Sequence, residues 1–217
     1  MNQTRTKLLS LAMMALLACA MVSLVACSDS ADPNAEDTPE EVVTTAVVYY
    51  SATGTTQGIA DMVAGAADGV PFAINPVMAY TDADLDYDDP ESRVSQERES
   101  SERNIELVMD AMPGWDSYDV VFIGYPIWWG EAAWPMQSFV QANNFSGKKV
   151  IPFCTSESSG IGTSAEQLAE LTRTGNWLPG GSFNAATTQA EINEWVASLE
   201  LGSDAEEESG AGTAIEA

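Results

Sequence analysis

Four hydroxyl side chains and a glycine fall within six consecutive residues, Ser51-Ala52-Thr53-Gly54-Thr55-Thr56. The run lies between a β-branched and aromatic stretch, residues 44–50 (TTAVVYY), and a segment, residues 56–67, that sets Ile59, Ala60, Val63 and Ala67 on one helical face. A loop that opens a helix offers free backbone N–H groups at the positive end of the helix dipole. Ser51, Thr53, Thr55 and Thr56 add donors, and Gly54 lets the backbone approach a ligand closely. The chemistry is that of an anion cradle. It contains no lysine, so it suits a tightly held monophosphate better than a transferable γ-phosphate.

Two further runs have the same placement. Pro126-Ile127-Trp128-Trp129-Gly130 follows the continuous apolar run 119–125 (DVVFIGY), and its two indoles offer a flat apolar surface. Thr155-Ser156-Glu157-Ser158-Ser159-Gly160 follows residues 149–154 (KVIPFC). Competing motifs fail. No GxxxxGK[ST] is present, which argues against an ATPase. Gly160-Ile161-Gly162-Thr163-Ser164-Ala165 has the form of a dinucleotide fingerprint but begins six residues past Cys154, and no acidic residue stands about twenty positions on.

Composition excludes several classes. Histidine is absent, which removes Ser-His-Asp and Cys-His nucleophile systems and His-based zinc sites. No residue is assigned a catalytic or metal-ligating role. Asp plus Glu number 33 against 8 Lys plus Arg, a formal charge of −25. Nucleic acids are bound by cations that release counterions, so no nucleic-acid partner is expected. An acidic surface steers cationic partners inward and keeps a protein soluble. Of the three cysteines, Cys19 and Cys27 fall in or at the end of a leader; Cys154 remains as a buried apolar residue. A disulfide within the fold and a redox dithiol are thereby excluded.

The elements that must position these runs follow from periodicity. Arg5 and Lys7 precede a nearly unbroken apolar run, 8–26, which reads as an export signal. Residues 28–43 (SDSADPNAEDTPEEVV) read as a disordered acidic tether, and 201–217 as a disordered acidic tail. Between them, strands are expected at 44–50, 72–77, 119–125, 149–154 and, weakly, 178–184. Pro71 and Pro76 consign the second to a sheet edge. Helices are expected at 56–67, 135–143, 163–174 and 188–199, and around 105–112, where Ile105, Val108, Met109 and Met112 have helical spacing. Capping boxes open two of them, at Thr163 with Glu166 and at Thr188 with Glu191. Residues 80–102 read as an acidic irregular insertion. Alternating strands and helices imply a parallel sheet covered on both faces.

With these runs in place, the chain resembles the flavodoxin family over nearly all of 44–200. VVYYSATGTT matches the family's phosphate loop. Residues 118–130 (YDVVFIGYPIWWG) look like the third strand and isoalloxazine loop of its long-loop, oxidoreductase-like members, 145–162 (FSGKKVIPFCTSESSGIG) like their fourth strand and loop, and 89–97 (DPESRVSQE) like their acidic insertion. The resemblance implies an α/β three-layer sandwich with a five-stranded parallel sheet in the order 2-1-3-4-5. It implies that flavin mononucleotide (FMN) lies with its phosphate on 51–56, its ring against 126–130, where Trp128 or Trp129 stacks, and its other side closed by 155–160. Glu157 and Glu131 would then oppose negative charge on the ring and lower its potential.

Leu24-Val25-Ala26-Cys27 resembles the lipobox of bacterial lipoproteins, with Cys27 lipidated after cleavage. The expectation is therefore a redox flavoprotein anchored by lipid to the outer face of a bacterial cell membrane. Its partner would be a redox protein or a quinone-like small acceptor. The alternatives are an FMN-dependent NAD(P)H or quinone reductase, and a binding lipoprotein of the same fold that has lost the flavin.

Overall fold

The computed structural model describes residues 43–100 and 103–201. The leader with Cys27, the tether up to residue 42 and the tail from residue 202 lie outside them. Along the chain come β1 (Thr45–Tyr49), α1 (Thr55–Ala66), β2 (Val70–Ala73), α2 (Arg93–Glu99), β3 (Val120–Trp128), β4 (Glu131–Ala132), α3 (Trp134–Ala142), β5 (Lys149–Thr155), α4 (Ser164–Thr172), β6 (Asn176–Trp177), β7 (Gly181–Phe183) and α5 (Gln189–Ala197).

β1 and the first six residues of β3 are buried on both faces, as parallel strands between two helical layers must be. Alternate side chains serve opposite faces. Ala46, Val48, Val121, Ile123 and Tyr125 pack with Trp134, Met136, Phe139 and Leu168 from α3 and α4. Val47, Tyr49, Val120, Phe122, Ile151 and Phe153 pack with Ile59, Ala60 and Val63 of α1 and Ile192 and Val196 of α5. Each fully buried large side chain contributes roughly 1.5–3 kcal/mol. The layers are helix, sheet, helix.

The sheet runs β2-β1-β3-β5, and its fifth position is shared by β6 and β7. This is the expected order, with the last strand in two pieces. β6 pairs with Lys149 and Val150, and β7 pairs with Phe153, Cys154 and Thr155. Opposite the gap stands Pro152, while Pro179 and Gly180 occupy the break itself. A Cβ on Gly180 would lie 2.5 Å from the Pro152 carbonyl oxygen, so the chain crosses there only as glycine.

Several local expectations are corrected. β2 starts at Val70 and ends at Ala73, because Pro76 leaves the edge to form an antiparallel bridge with Leu107. That bridge also removes the helix expected at 105–112. Val77 N–H donates to Glu106 O, Val108 N–H to Asn75 O, and Ile105 N–H to Ser138 Oγ. Backbone donors a helix would use internally are thus committed to tertiary partners. The insertion, expected to be irregular, contains α2, whose cap Ser92 accepts from the Ser95 N–H. Thr163 makes no side-chain cap at α4; its ψ of 6° is not the extended conformation a cap needs. The capping box of Thr188 and Glu191 is present in full.

Candidate functional site

Because β1, β3 and β5 are parallel, the loops after them emerge from one edge of the sheet. β1 is flanked by β2 on one side and β3 on the other, so the chain reverses its direction of travel across the sheet at β1. At such a switch point neighbouring loops diverge and leave a crevice outside the carboxyl ends of the strands. Here the crevice is a cavity of about 390 Å³.

Ala52, Thr53, Thr55 and Thr56 line it from the first loop, Pro126, Ile127 and Trp128 from the second, and Thr155, Ser156 and Glu157 from the third. A 2.7 Å hydrogen bond between Thr56 Oγ1 and Thr155 Oγ1, both buried, ties the first loop to the third. Gly54 caps α1 at φ 94° with no side-chain hydrogen bond, leaving the first-turn amides uncapped by any side chain. A Cβ on Gly54 would meet nothing within 4 Å. Glycine is therefore required there by backbone conformation and not by space. Ser51 and Gly54 shape the loop without lining the cavity: the Gly54 N–H donates to Ser51 Oγ at 3.0 Å.

The other sequence-selected residues lie outside the lining. Ser158 and Ser159 donate backbone N–H groups to Ser156 Oγ, folding the third loop on itself up to Gly160. Trp129 and Gly130 are the turn of a two-residue hairpin in which Trp128 pairs with Glu131. Their φ values of 47° and 84° are those of a primed turn, a demanding conformation for tryptophan. The Trp129 ring stacks on Trp134 (6.3 Å, 8°) and meets Tyr87 edge-on at 4.8 Å, with the Arg98 guanidinium 4.7 Å from its centre. Trp128 is 2% exposed and touches Tyr50, Tyr80 and Trp134 edge-on. Glu131 pairs with Arg103 at 2.5 Å and does not line the cavity, unlike Glu157.

Four lining residues were not foreseen: Asp82, Leu85 and Tyr87 from the insertion, and Asn184 after β7. Leu85 and Tyr87 stand as apolar and aromatic exceptions in an acidic run, and Asn184 ends a parallel strand; both were available signals. The insertion is anchored by Val94, wholly buried. Arg93 lies over the Tyr80 ring (3.9 Å), pairs with Glu97 (2.7 Å) and donates to Met78 O (2.7 Å), while the Tyr80 phenol donates to Glu97. Among the described residues no lysine or arginine lines the cavity. Among the described residues no group of His, Cys, Asp or Glu could hold a metal ion.

Residues 44–199 match the family model described as Flavodoxin. A candidate flavoprotein of Bacteroides uniformis is 37% identical with a TM-score of 0.68, the match covering 72% of this chain and 99% of that one. One from Bacteroides eggerthii is 35% identical with a TM-score of 0.67, covering 73% and 98%. A Lactobacillus acidophilus flavoprotein in complex with FMN, 18% identical with a TM-score of 0.53 over 71% and 99% of the two chains, shares the fold. No curated protein matches the chain.

The wall behind Trp128 carries a titration signature. Burial, then the hydrogen bond and charge of Glu97, raise the Tyr80 phenol above its ordinary value of 10.0; burial raises Tyr50 and Tyr125 likewise. The unfolded chain therefore releases these protons first, and their contribution to stability is complete below pH 10 and lost above it. The melting temperature should begin to fall above about pH 9, where the unfolded chain ionises Cys154, whose thiol burial also raises, and should fall more steeply beyond about pH 10 as the tyrosines follow. Tyr80→Phe should make that alkaline decline shallower, as thermal unfolding across the range will show.

Proposed function

The chain belongs to the flavodoxin family, and on that premise we propose that it is a redox flavoprotein binding FMN in the cavity at the carboxyl ends of β1, β3 and β5. The observation that carries this reading is the composition of the cavity wall. Thr53, Thr55 and Thr56 line it at the start of α1, whose first turn has no side-chain cap. Leu85, Tyr87, Ile127 and Trp128 add apolar and aromatic surface to the same lining. A phosphate matches the first and a planar ring system the second, and about 390 Å³ lies within the usual size of small-molecule sites.

Bound FMN would supply reversible electron transfer. The chain's residues would fix it and set its potential. Hydroxyls and helix amides hold the phosphate by neutral donors. The apolar surface excludes water from the ring. Asp82 and Glu157, the two carboxylates in the lining, oppose negative charge gained on reduction and lower the potential. Residues 1–27 support an exported protein held at the outer face of a bacterial membrane by a lipid on Cys27, where it passes electrons to a cationic protein partner or a small quinone-like acceptor.

Titration of the purified protein with FMN and with riboflavin, followed by flavin fluorescence, tests the site. Wild type should bind FMN more tightly. Thr53→Val and Thr55→Val should each weaken FMN about tenfold, the worth of one hydrogen bond to a charged group, and leave riboflavin unchanged. A protein that takes up neither overturns the reading. Glu157→Gln should raise the midpoint potential of the bound flavin, on the order of tens of millivolts; an unchanged potential would remove that role. Cys27→Ser should abolish incorporation of a fatty-acid label and shift the protein from the membrane to the soluble fraction.

A further inference from the structure

A planar ligand gains stacking energy only from a ring that still has a face to offer. Two aromatic residues line the cavity, Trp128 and Tyr87. Trp128 is 2% exposed and already edge-packed against three rings. Trp129, outside the lining, is taken up by Trp134 and Arg98. Tyr87 is 47% exposed, and among the aromatic rings of the described residues it meets only the Trp129 indole, edge to face at 4.8 Å and 68°. Tyr87 is thus an aromatic ring fixed from behind and open toward the cavity.

We infer that Tyr87, presented by the acidic insertion, is the aromatic plate against which the flavin ring packs, and that Trp129 is its positioning residue. This rests on the FMN reading above. The insertion gives Tyr87 a fixed base through buried Val94, the Ser92 cap of α2, and the knot of Arg93, Glu97 and Tyr80. The backbone of Trp129 supplies an independent argument. A tryptophan at φ 47° costs free energy that glycine or asparagine would save. What the indole returns for that cost is its contact with Tyr87, Trp134 and Arg98.

The test uses the full chain, with the dissociation constants of FMN and riboflavin and the fluorescence of the bound flavin as readouts. Tyr87→Leu should weaken both ligands by roughly tenfold, because the contact is to the ring they share, and should brighten the bound flavin. Tyr87→Phe keeps the packing surface but not the electron-donating phenol, so it should keep the affinity for both ligands and still brighten the bound flavin. Trp129→Gly relieves the backbone but removes the indole that holds the Tyr87 ring, and should brighten the bound flavin; quenching unchanged in that variant overturns the positioning role. A wild type that binds FMN while Tyr87→Leu matches it in affinity and quenching overturns the inference alone. A wild type that binds no flavin overturns the FMN reading and this inference with it.

Discussion

Parallel pairing of β1 with β3 and β3 with β5 is the constraint on which the rest depends. Antiparallel neighbours would send successive loops to opposite edges. Here the three loops share one edge, and Thr56 and Thr155, 99 residues apart in sequence, come within 2.7 Å. That buried hydroxyl pair needs both neighbours in register, so it reports the sheet's alignment directly at the cavity. Two-sided burial holds the register. A one-residue slip would exchange the side chains packed on α3 and α4 for those packed on α1 and α5.

Charge is distributed in a way that bears on the same edge. The chain has only 8 basic residues, and several are committed to aromatic rings and carbonyls. Arg93, Arg98 and Arg103 lie over Tyr80, Trp129 and Trp134. Lys148 is buried and donates to the carbonyls of Trp115 and Tyr118, with burial lowering its pKa. Cation–π contacts contribute from about 0.5–1 kcal/mol when exposed to about 2 when desolvated; Arg93 braces the insertion internally on Tyr80, Arg98 fastens it to Trp129, and Arg103, just past it, covers Trp134. The cavity itself keeps hydroxyls, amides and two carboxylates. Anion binding there relies on oriented dipoles and hydrogen bonds, which are short-ranged and select for geometry rather than net charge.

The frame was legible wherever one local rule agreed with burial. The strands expected at 44–50, 119–125 and 149–154 from their largely apolar runs became β1, most of β3 and β5. Thr188 and Glu191 announced α5 with a complete capping box. The three loops were found from residue type and placement, and ten of their residues line one cavity. The failures share a cause. Ile105, Val108, Met109 and Met112 have helical spacing, but the backbone there pairs with Asn75 and Val77, and Val108 is 64% exposed. Residues 82–87 carry no period at all, since their fold comes from α2, Val94 and Arg93 further along the chain. A cavity wall supplied by such a segment leaves only isolated residues, Leu85 and Tyr87, as its trace.

The hairpin after β3 concentrates the local conflicts of the molecule. Trp129 sits at positive φ where asparagine or glycine would be favoured. Trp134, wholly buried, has the one buried side-chain polar atom without a hydrogen-bond partner among the described residues, its Nε1, and an unsatisfied buried donor costs about 1–3 kcal/mol. Arg103 is stacked on that same ring and paired with Glu131 of the same hairpin. A sequence selected only for stability would remove each of these conflicts with a smaller or more polar residue. Their retention side by side, immediately behind Tyr87 and Trp128, follows if the hairpin is shaped to hold an aromatic wall in place rather than to minimise its own energy. The parallel sheet sets where the cavity lies, and this strained hairpin sets what apolar surface it presents.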